Sequence, residues 1–389
     1  MRFEQALFID VTRLFARYLN GRLPTGVDRV SIEYIRHYLG SAQAIVRYQG
    51  RWLELSLSDS TRLFDTLITS NFKIKLRIIG LITKAWWYNF LPLRKEVATL
   101  LEVGHQGLEQ PSYAKKLSTK ALNPIFFVHD LIPISHPEYC RPDEAIKHTH
   151  RMNIVLQQGC GVIVNSAATL NELTIYAEKS GFLLPPVVVA PLAVSALPTP
   201  SVTSMVDTPY FVMLGTIEPR KNHLMILQVW RRLIEQLGIS APKLVIIGQR
   251  GWENENIIDM LERCEFLKGY VFELSNCNDA DMTTYLQHAQ ALLFPSFAEG
   301  YGIPLVESLM LGTPVIASQL KVFYEIAGDI PEYLDPLDAM GWLDKIIAYS
   351  ASDNAERLIQ LNRLIAFKVP SWQEHFDSVD RLVSHISKK

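Results

Sequence analysis

The sequence predicts an α/β protein of two domains, each built on a parallel sheet covered by helices on both faces. Three observations carry this prediction. Apolar runs of four to six residues alternate with helical patterns along the chain, as strands buried on both faces do. The series halts at SALPTPSVTSMVDTP (195–209), which holds three prolines, several Ser and Thr, and no apolar periodicity; such a stretch suits an interdomain linker. The pattern then restarts, and 389 residues are enough for two domains of ordinary size.

In chain order, ALFIDV (6–11) predicts a strand, and VDRVSIEYIRHYL (27–39) a helix with Val27, Val30, Tyr34 and Tyr38 on one face. PIFFVHD (124–130), GVIVN (161–165) and PVVVA (186–190) predict further strands. The second series comprises YFVMLG (210–215), a helix from about 222 to 237, KLVIIG (243–248), YVFEL (270–274), ALLFP (291–295) and PVIAS (314–318). In such sheets ligands bind beyond the carboxyl ends of the strands, so the expected site is a cleft between the two domains.

A formal net charge of −2 gives no reason to expect a nucleic-acid partner. The four cysteines, Cys140, Cys160, Cys264 and Cys277, are sparse and form no C-x-x-C pair. They predict reduced thiols in a cytosolic protein. Glu4 and Asp10 interrupt the first apolar run, a poor signal peptide. No stretch of 18 apolar residues occurs, and no transmembrane helix is expected. The segment NFKIKLRIIGLITKAWWYNFLPLRK (71–95) has six basic residues, no acidic ones, and Trp86, Trp87, Tyr88 and Phe90 close together. One reading is an anionic membrane surface touched by Lys84, Trp86 and Trp87. The other is an excursion packed on the first domain with solvated cations.

The chemistry concentrates in four places. In FPSFAEGYGIPLVESLMLGTPVIAS (294–318), Glu299 and Glu307 stand eight apart around a turn holding Gly300, Tyr301 and Gly302. The expected strand ends near Pro295, a loop runs to Ile303, and Pro304 suits the first turn of a helix. That puts Glu299 on the loop and Glu307 in the first helical turn. The amides near Gly302 and Ile303 are free to bind an anion, while the carboxylates accept hydrogen bonds from hydroxyls. A ligand with central phosphates and hydroxyl-bearing rings at both ends, a nucleotide sugar, fits every part. In GTIEPRKN (215–222), Gly215 ends a strand, Thr216 follows, and Arg220 and Lys221 precede a helix. Two cations there neutralise a diphosphate, with Glu218 available to pair with one of them. In FFVHD, His129 and Asp130 end a first-domain strand. A histidine there either is structural or stabilises charge and moves a proton. Thr25 and Gly26 stand at a helix start, either as a plain cap or near the acceptor.

Two metal-like patterns are declined. Asp279-Ala-Asp281 precedes a helix and suits its N-terminus. His148 and His150 near Glu144 lack further ligands at helical spacing. No dinucleotide fingerprint or P-loop is present.

Taken together, GTIEPRKN, AEGYGIP with Glu307, and the His129-Asp130 pair resemble the family-4 retaining glycosyltransferases. The resemblance spans most of the chain, is densest over 210–318 and weakest over 40–120. It implies the GT-B fold, two Rossmann-like domains with parallel sheets facing across a cleft. The implied first domain is 1–197 plus 371–389, the latter a returning C-terminal helix; the implied second domain is 206–370. By resemblance Arg220 and Lys221 hold the donor diphosphate, with Gly215, Thr216, Gly300, Tyr301, Gly302 and Ile303 lining the same donor site. Glu307 takes the ribose, and Glu299 the transferred sugar. His129 approaches the anomeric carbon, and Thr25, Gly26 and Asp130 lie on the acceptor side.

Two departures stand out. Thr216 occupies a position where many members have Arg, and the first loop has a single glycine, Gly26.

The implied reaction moves a hexose, mannose from GDP-mannose favoured, to a hydroxyl of a lipid-linked or oligosaccharide acceptor in bacterial O-antigen, capsule or exopolysaccharide assembly. It implies retention through a front-face path, domain closure over the donor, no metal and no cofactor beyond the nucleotide-sugar co-substrate. The expected location is cytoplasmic, peripheral at the inner membrane. Two other classes remain open at this stage: another GT-B enzyme, such as a sugar phosphorylase or nucleotide-sugar epimerase, and a non-catalytic glycan-binding scaffold.

Overall fold

The computed structural model describes residues 5–21, 25–69, 75–88 and 96–388. Glu4, residues 71–74, and residues 89–95 with Phe90 lie outside them. The chain divides into two compact units. One comprises Met1–Ile134, Asp143–Leu192 and Trp372–Lys389; the other comprises Ser135–Pro142 and Ala193–Ser371. Residues 135–142 and 193–197, assigned to the first domain from sequence, group with the second unit. The expected linker also has fixed partners. Ser201 N donates to Thr284 Oγ1 (3.0 Å), and His288 Nε2 donates to Ser201 O (2.8 Å). A polar composition alone does not reveal such backbone ties.

The first unit holds a seven-stranded sheet in the order β3-β2-β1-β4-β5-β6-β7. These are β1 (Leu7–Asp10), β2 (Gln43–Tyr48), β3 (Arg51–Glu54), β4 (Ala98–Glu102), β5 (Leu122–Val128), β6 (Gly161–Val164) and β7 (Val187–Val189). Every pairing is parallel except β2 with β3. The expectation of purely parallel sheets is therefore corrected at this edge, where a hairpin closes the sheet. Its two-residue turn, Gln49 (φ 47°) and Gly50 (φ 72°), has both residues in the left-handed region, as a type I′ turn requires.

The sequence reading also missed β4. Its run ATLLE ends in a carboxylate that is nevertheless 1% exposed. Glu102 tolerates burial because Tyr113 OH donates to it at 3.1 Å and Arg47 Nη2 lies 3.3 Å away.

The C-terminal helix Trp372–Ile386 belongs to this unit. His375 Nδ1 donates to the carbonyls of Ala190 (3.1 Å) and Pro191 (3.0 Å). Nε2 therefore carries the lone pair and accepts from Tyr34 OH at 2.9 Å. Burial pushes this imidazole down to about 4, so it stays neutral in that role. Tyr38 OH donates to Asp380 Oδ1 at 2.6 Å one turn further along.

The second unit holds a six-stranded sheet in the order β10-β9-β8-β11-β12-β13. Its strands are β8 (Tyr210–Leu214), β9 (Lys243–Ile247), β10 (Val271–Leu274), β11 (Leu292–Phe294), β12 (Val315–Ser318) and β13 (Glu332–Leu334), all parallel. This is the doubly wound order, and strand direction of travel reverses between β8 and β11, where ligands are held. The helix His223–Leu237 buries Ile226, Val229, Trp230 and Leu233 beneath the sheet, as its spacing predicts. Trp230 Nε1 donates to Pro242 O (2.9 Å) and Trp342 Nε1 to Asp335 O (3.0 Å). Both indoles thus bury their rings without leaving a polar group unpaired. Among the described residues, no helix is long and apolar enough to cross a membrane.

Replacing Gly50 by Val puts a β-branched residue where φ is positive. The substitution is expected to cost about 1–2 kcal/mol, read as a lower urea midpoint with unchanged slope. An unchanged midpoint would show that the hairpin adopts another turn.

Candidate functional site

In the second unit the site is assembled where β8 and β11 end. After β8 the chain passes Gly215 and Thr216, and Ile217 bridges to Arg250. It then forms a single 3₁₀ turn, Pro219–Lys221. Asn222 enters the next helix in the left-handed region (φ 57°), with its Nδ2 donating to Pro336 O at 2.8 Å. This turn delivers Arg220 and Lys221 to the sheet edge. Phe297 N donates to Arg220 O (2.8 Å), and Arg220 Nη1 donates to Ala298 O (2.9 Å). The two loops are therefore stitched together before any ligand is considered.

Four charged side chains meet there. Lys221 Nζ lies 2.5 Å from Glu299 Oε1 and Arg220 Nη1 lies 2.8 Å from Glu299 Oε2. Arg220 Nε lies 2.6 Å from Glu218 Oε1, and Ser296 Oγ donates to Glu299 Oε1 at 2.8 Å. The side chains of Lys221, Glu299 and Glu218 are 9%, 8% and 3% exposed, against 21% for Arg220. Burial works to raise the Glu299 carboxyl, but Arg220 and Lys221 outweigh it and hold it down to about 2. Burial lowers Lys221, and Glu299 opposes that shift. Glu218 goes the other way: burial pushes it up against the pull of Arg220 and Lys221.

The turn beyond Glu299 has one strict requirement. Gly302 has φ 121° and caps the helix Ile303–Met310; a Cβ there would stand 2.8 Å from Phe323 Cε1. Pro304 sits in the first turn, as predicted. Glu307 is the fifth helical residue, in the second turn rather than the first, and is buried. Asp279 and Asp281 occupy the first turn of the helix Asp279–Gln287, where Asn278 is the cap, its side chain accepting from Asp281 N.

In the first unit the corresponding switch point lies between β1 and β4, and it is filled by side chains. Arg47 Nε lies 2.7 Å from Asp10 Oδ2, and Arg47 also reaches Glu102. Burial, and then Asp10, push Glu102 up to about 8. Beside this network His129 Nε2 donates to Val103 O at 2.8 Å. A carbonyl only accepts, so neutral His129 keeps its lone pair on Nδ1. His105 and His148 complete a cluster, with the His105 ring 5.6 Å from that of His129 and 5.9 Å from that of His148. Burial pushes His129 down to about 4 and lowers His148. His105 is held well below its usual value by burial and then by the other two rings. Among the described residues, no group of three or more His, Cys, Asp or Glu is arranged to hold a metal ion.

The remaining predicted residues are placed as follows. Asp130 Oδ1 accepts from Ile132 N at 3.1 Å. Thr25 is the N-cap of the helix Gly26–His37; its N and Oγ1 both donate to Asp28 Oδ2, at 2.7 and 2.6 Å. The Arg51 guanidinium lies 4.2 Å from the centre of the Trp86 ring, a contact within the first unit. Lys84 Nζ pairs with Asp59 at 2.7 Å, and Trp87 is 69% exposed.

Sequence reasoning passed over His105, Arg47 and Arg13. His105 follows β4, the strand it missed, and has φ 55°. Arg13 Nε lies 2.7 Å from buried Asp28.

Residues 200–357 match the profile of Glycosyl transferases group 1. The second unit belongs to this glycosyltransferase family. Over 164 residues the chain is 30% identical to the O-antigen chain mannosyltransferase B of Escherichia coli, covering 42% of each protein. Over 220 residues it is 27% identical to the serotype-specific mannosyltransferase WbdA of Escherichia coli, covering 52% of this chain and 26% of WbdA. The chain thus spans less than half the length of these relatives. A solved structure of Anabaena HepE with UDP-glucose superposes with a TM-score of 0.64 at 12% identity, covering 99% of this chain and 98% of that one. This likeness shows the fold, GT-B. The glycosyltransferase domain contains Arg220, Lys221, Glu299 and Glu307.

The imidazole cluster makes stability depend on acid. His129 falls from 6.5 to about 4 in the folded chain, so the unfolded chain binds more protons in between. The stabilisation is present above about pH 6.5 and is lost as pH falls through about 4. Glu102, raised to about 8, opposes this, but His375 and His223, lowered to about 4 and about 3, reinforce it, so urea midpoints measured from pH 7.5 to 4.5 should decline, most steeply below 6.5. A flat profile over that range would refute it.

Proposed function

We propose that this chain transfers a hexose, mannose in the favoured reading, from a nucleoside-diphosphate sugar to a hydroxyl of a glycan acceptor, with retained anomeric configuration. The observation that carries this reading is the pair of cations, Arg220 and Lys221, fixed at the switch point of the second sheet and tied to the Glu299 loop. Doubly wound sheets bind phosphates there. Mannose is favoured because the relatives named above are mannosyltransferases, one of them of an O-antigen chain. The O-antigen relative supports a role in assembling bacterial surface polysaccharide, and the acceptor in this reading is a lipid-linked or oligosaccharide glycan.

In this reading Arg220 and Lys221 neutralise the charge that grows on the leaving diphosphate as the glycosidic bond breaks. Gly215, Thr216 and the turn from Gly300 to Ile303 line the diphosphate. Glu307 takes the ribose hydroxyls and Glu299 those of the transferred sugar. On the first unit, His129 is neutral with Nδ1 unprotonated, so it accepts the hydrogen of a hydroxyl and is no proton donor. Thr25, Gly26 and Asp130 belong to the acceptor side. The leaving phosphate takes the acceptor proton. Neither metal nor cofactor is assigned a role.

The test is turnover with GDP-mannose, and with UDP-linked sugars for comparison, using mannose-terminated oligosaccharides as acceptors. Released nucleoside diphosphate and the product's anomeric form are both read. Lys221→Ala and Glu307→Ala are expected to lose about 10²–10³ in turnover while keeping the native circular dichroism. Near-normal turnover in both variants would defeat the assignment.

We also propose that the chain works in the cytoplasm against an anionic inner-leaflet surface, through the helix Lys75–Tyr88. Ile79, Thr83 and Trp87 recur every four residues on it, and Ile79 and Trp87 are 46% and 69% exposed. Residues 71–95 carry six basic and no acidic side chains. Sedimentation with phosphatidylserine vesicles should weaken by about tenfold in Trp87→Ala. Equal binding of both proteins would remove this helix from the interface.

A further inference from the structure

The charges at the diphosphate subsite cancel before any ligand arrives. Two cations, Arg220 and Lys221, face two carboxylates, Glu218 and Glu299, and three of the four side chains are less than one-tenth exposed. A nucleoside diphosphate brings at least two further negative charges to the same two cations. Anions this close in a dehydrated site cannot all remain ionised, and the usual response is that one carboxylate takes up a proton.

The geometry distinguishes the two carboxylates. Glu299 is held by Lys221, Arg220 and the Ser296 hydroxyl. It keeps the hydroxyl when a phosphate claims the cations, and it sits on the loop that leads into the glycine turn. Glu218 is also buried, its side chain 3% exposed, and its ion pair is with Arg220 Nε. When a phosphate oxygen draws Arg220 away, Glu218 loses its direct ion pair and keeps only the field of Lys221, which the same phosphate engages.

The groups facing Glu218 are few. Arg220 and Lys221 follow it in the same loop, and Glu299 comes from the loop after β11. The loop after β9 packs Gly251 against its Cβ, and Arg250 beside that glycine is committed to Glu273 and Glu262. His223, at the start of the next helix, is pushed down to about 3 by burial and then by Lys221, and so is neutral.

Building on the diphosphate-binding role assigned above, we propose that Glu218 is the charge-compensating residue of this subsite: it takes a proton from solvent when a nucleoside diphosphate binds and returns it when the nucleotide leaves. The proton stays on a carboxylate throughout, and no bond of the ligand is made or broken. Glu218 acts through Arg220, releasing the guanidinium to the phosphate without leaving a buried anion behind. The upward shift that burial already gives this carboxyl supports its choice over Glu299, which is held low.

The experiment is titration calorimetry of the full chain with GDP and with UDP at pH 7.5, where the terminal phosphate of the free nucleotide is largely ionised. It is run in phosphate, HEPES and Tris, whose ionisation heats differ. Binding heat should vary with the buffer in the sense of proton uptake, approaching about one proton per nucleotide. The dissociation constant should rise with pH by up to about tenfold per unit. Glu218→Gln should abolish the buffer dependence and bind at least as tightly as the wild type. The wild-type titration stands without the variant, should that fail to fold. Binding whose heat ignores the buffer would overturn the proposal and leave the diphosphate site intact. Uptake that persists in Glu218→Gln would move the proton to Lys221 or His223 and overturn it as well. Failure of both nucleotides to bind would overturn the site assignment together with this inference.

Discussion

Lys221 and Arg220 do not stand at the edge of the second sheet by themselves; they stand there because Glu299 and Glu218 hold them. A buried ammonium without a partner would lose its proton or leave the interior. The distances of 2.5 to 2.8 Å keep both cations charged and fixed in direction. The same contacts tie the loop after β8 to the loop after β11, across the point where the sheet reverses its winding. Gly302 and the helix it caps continue directly from that loop, so their positions inherit the alignment. Removing either carboxylate would disturb geometry as well as charge.

The first sheet handles its own reversal point differently. Where a ligand would be expected between β1 and β4, the Asp10, Arg47 and Glu102 network fills the space, and Tyr113 donates to Glu102 from the covering helix. Beside this network, His129 is oriented by the Val103 carbonyl and feels Asp130 and the Arg13–Asp28 pair. A hydrogen bond to a carbonyl fixes the tautomer without lending charge. In the proposed function, that suits a residue that meets a hydroxyl rather than a phosphate.

Much of this was legible in the sequence, for physical reasons that differ from place to place. Strands buried on both faces, such as IFFV in β5 or VIAS in β12, show themselves as apolar runs. The turn GTIEPRKN and the pair Glu299 and Glu307 stood out because their residue types are costly unless partnered. The hairpin of β2 and β3 was hidden because Gln49 replaces the Asn or Asp that usually marks such a turn. Strand β4 was hidden by Glu102, a carboxylate whose burial depends on an arginine 55 positions earlier in the chain. With β4 unseen, His105 had no strand end to stand on. Long-range charge pairing is the common cause: local pattern carries apolar burial well, and carries compensated polar burial hardly at all. The second-turn position of Glu307 is a smaller miss, since Pro304 permits a helix to begin at either of two residues.

Both sheet edges share one property despite their different chemistry: each is close to neutral before substrate arrives. In the second unit neutrality comes from pairing, two carboxylates against two cations. Among the first unit's clustered histidines it comes from burial that keeps the imidazoles unprotonated. A site that starts neutral does not gather small anions through net charge alone. It favours a ligand able to replace the internal partners one for one, with phosphate oxygens in place of a carboxylate on the cations and hydroxyls to engage the carboxylate so displaced. Inorganic phosphate meets only the first condition and a free sugar only the second. A nucleotide sugar meets both within one molecule, so under the function proposed above selection between them follows from the internal ion pairs, ahead of any contact with the base.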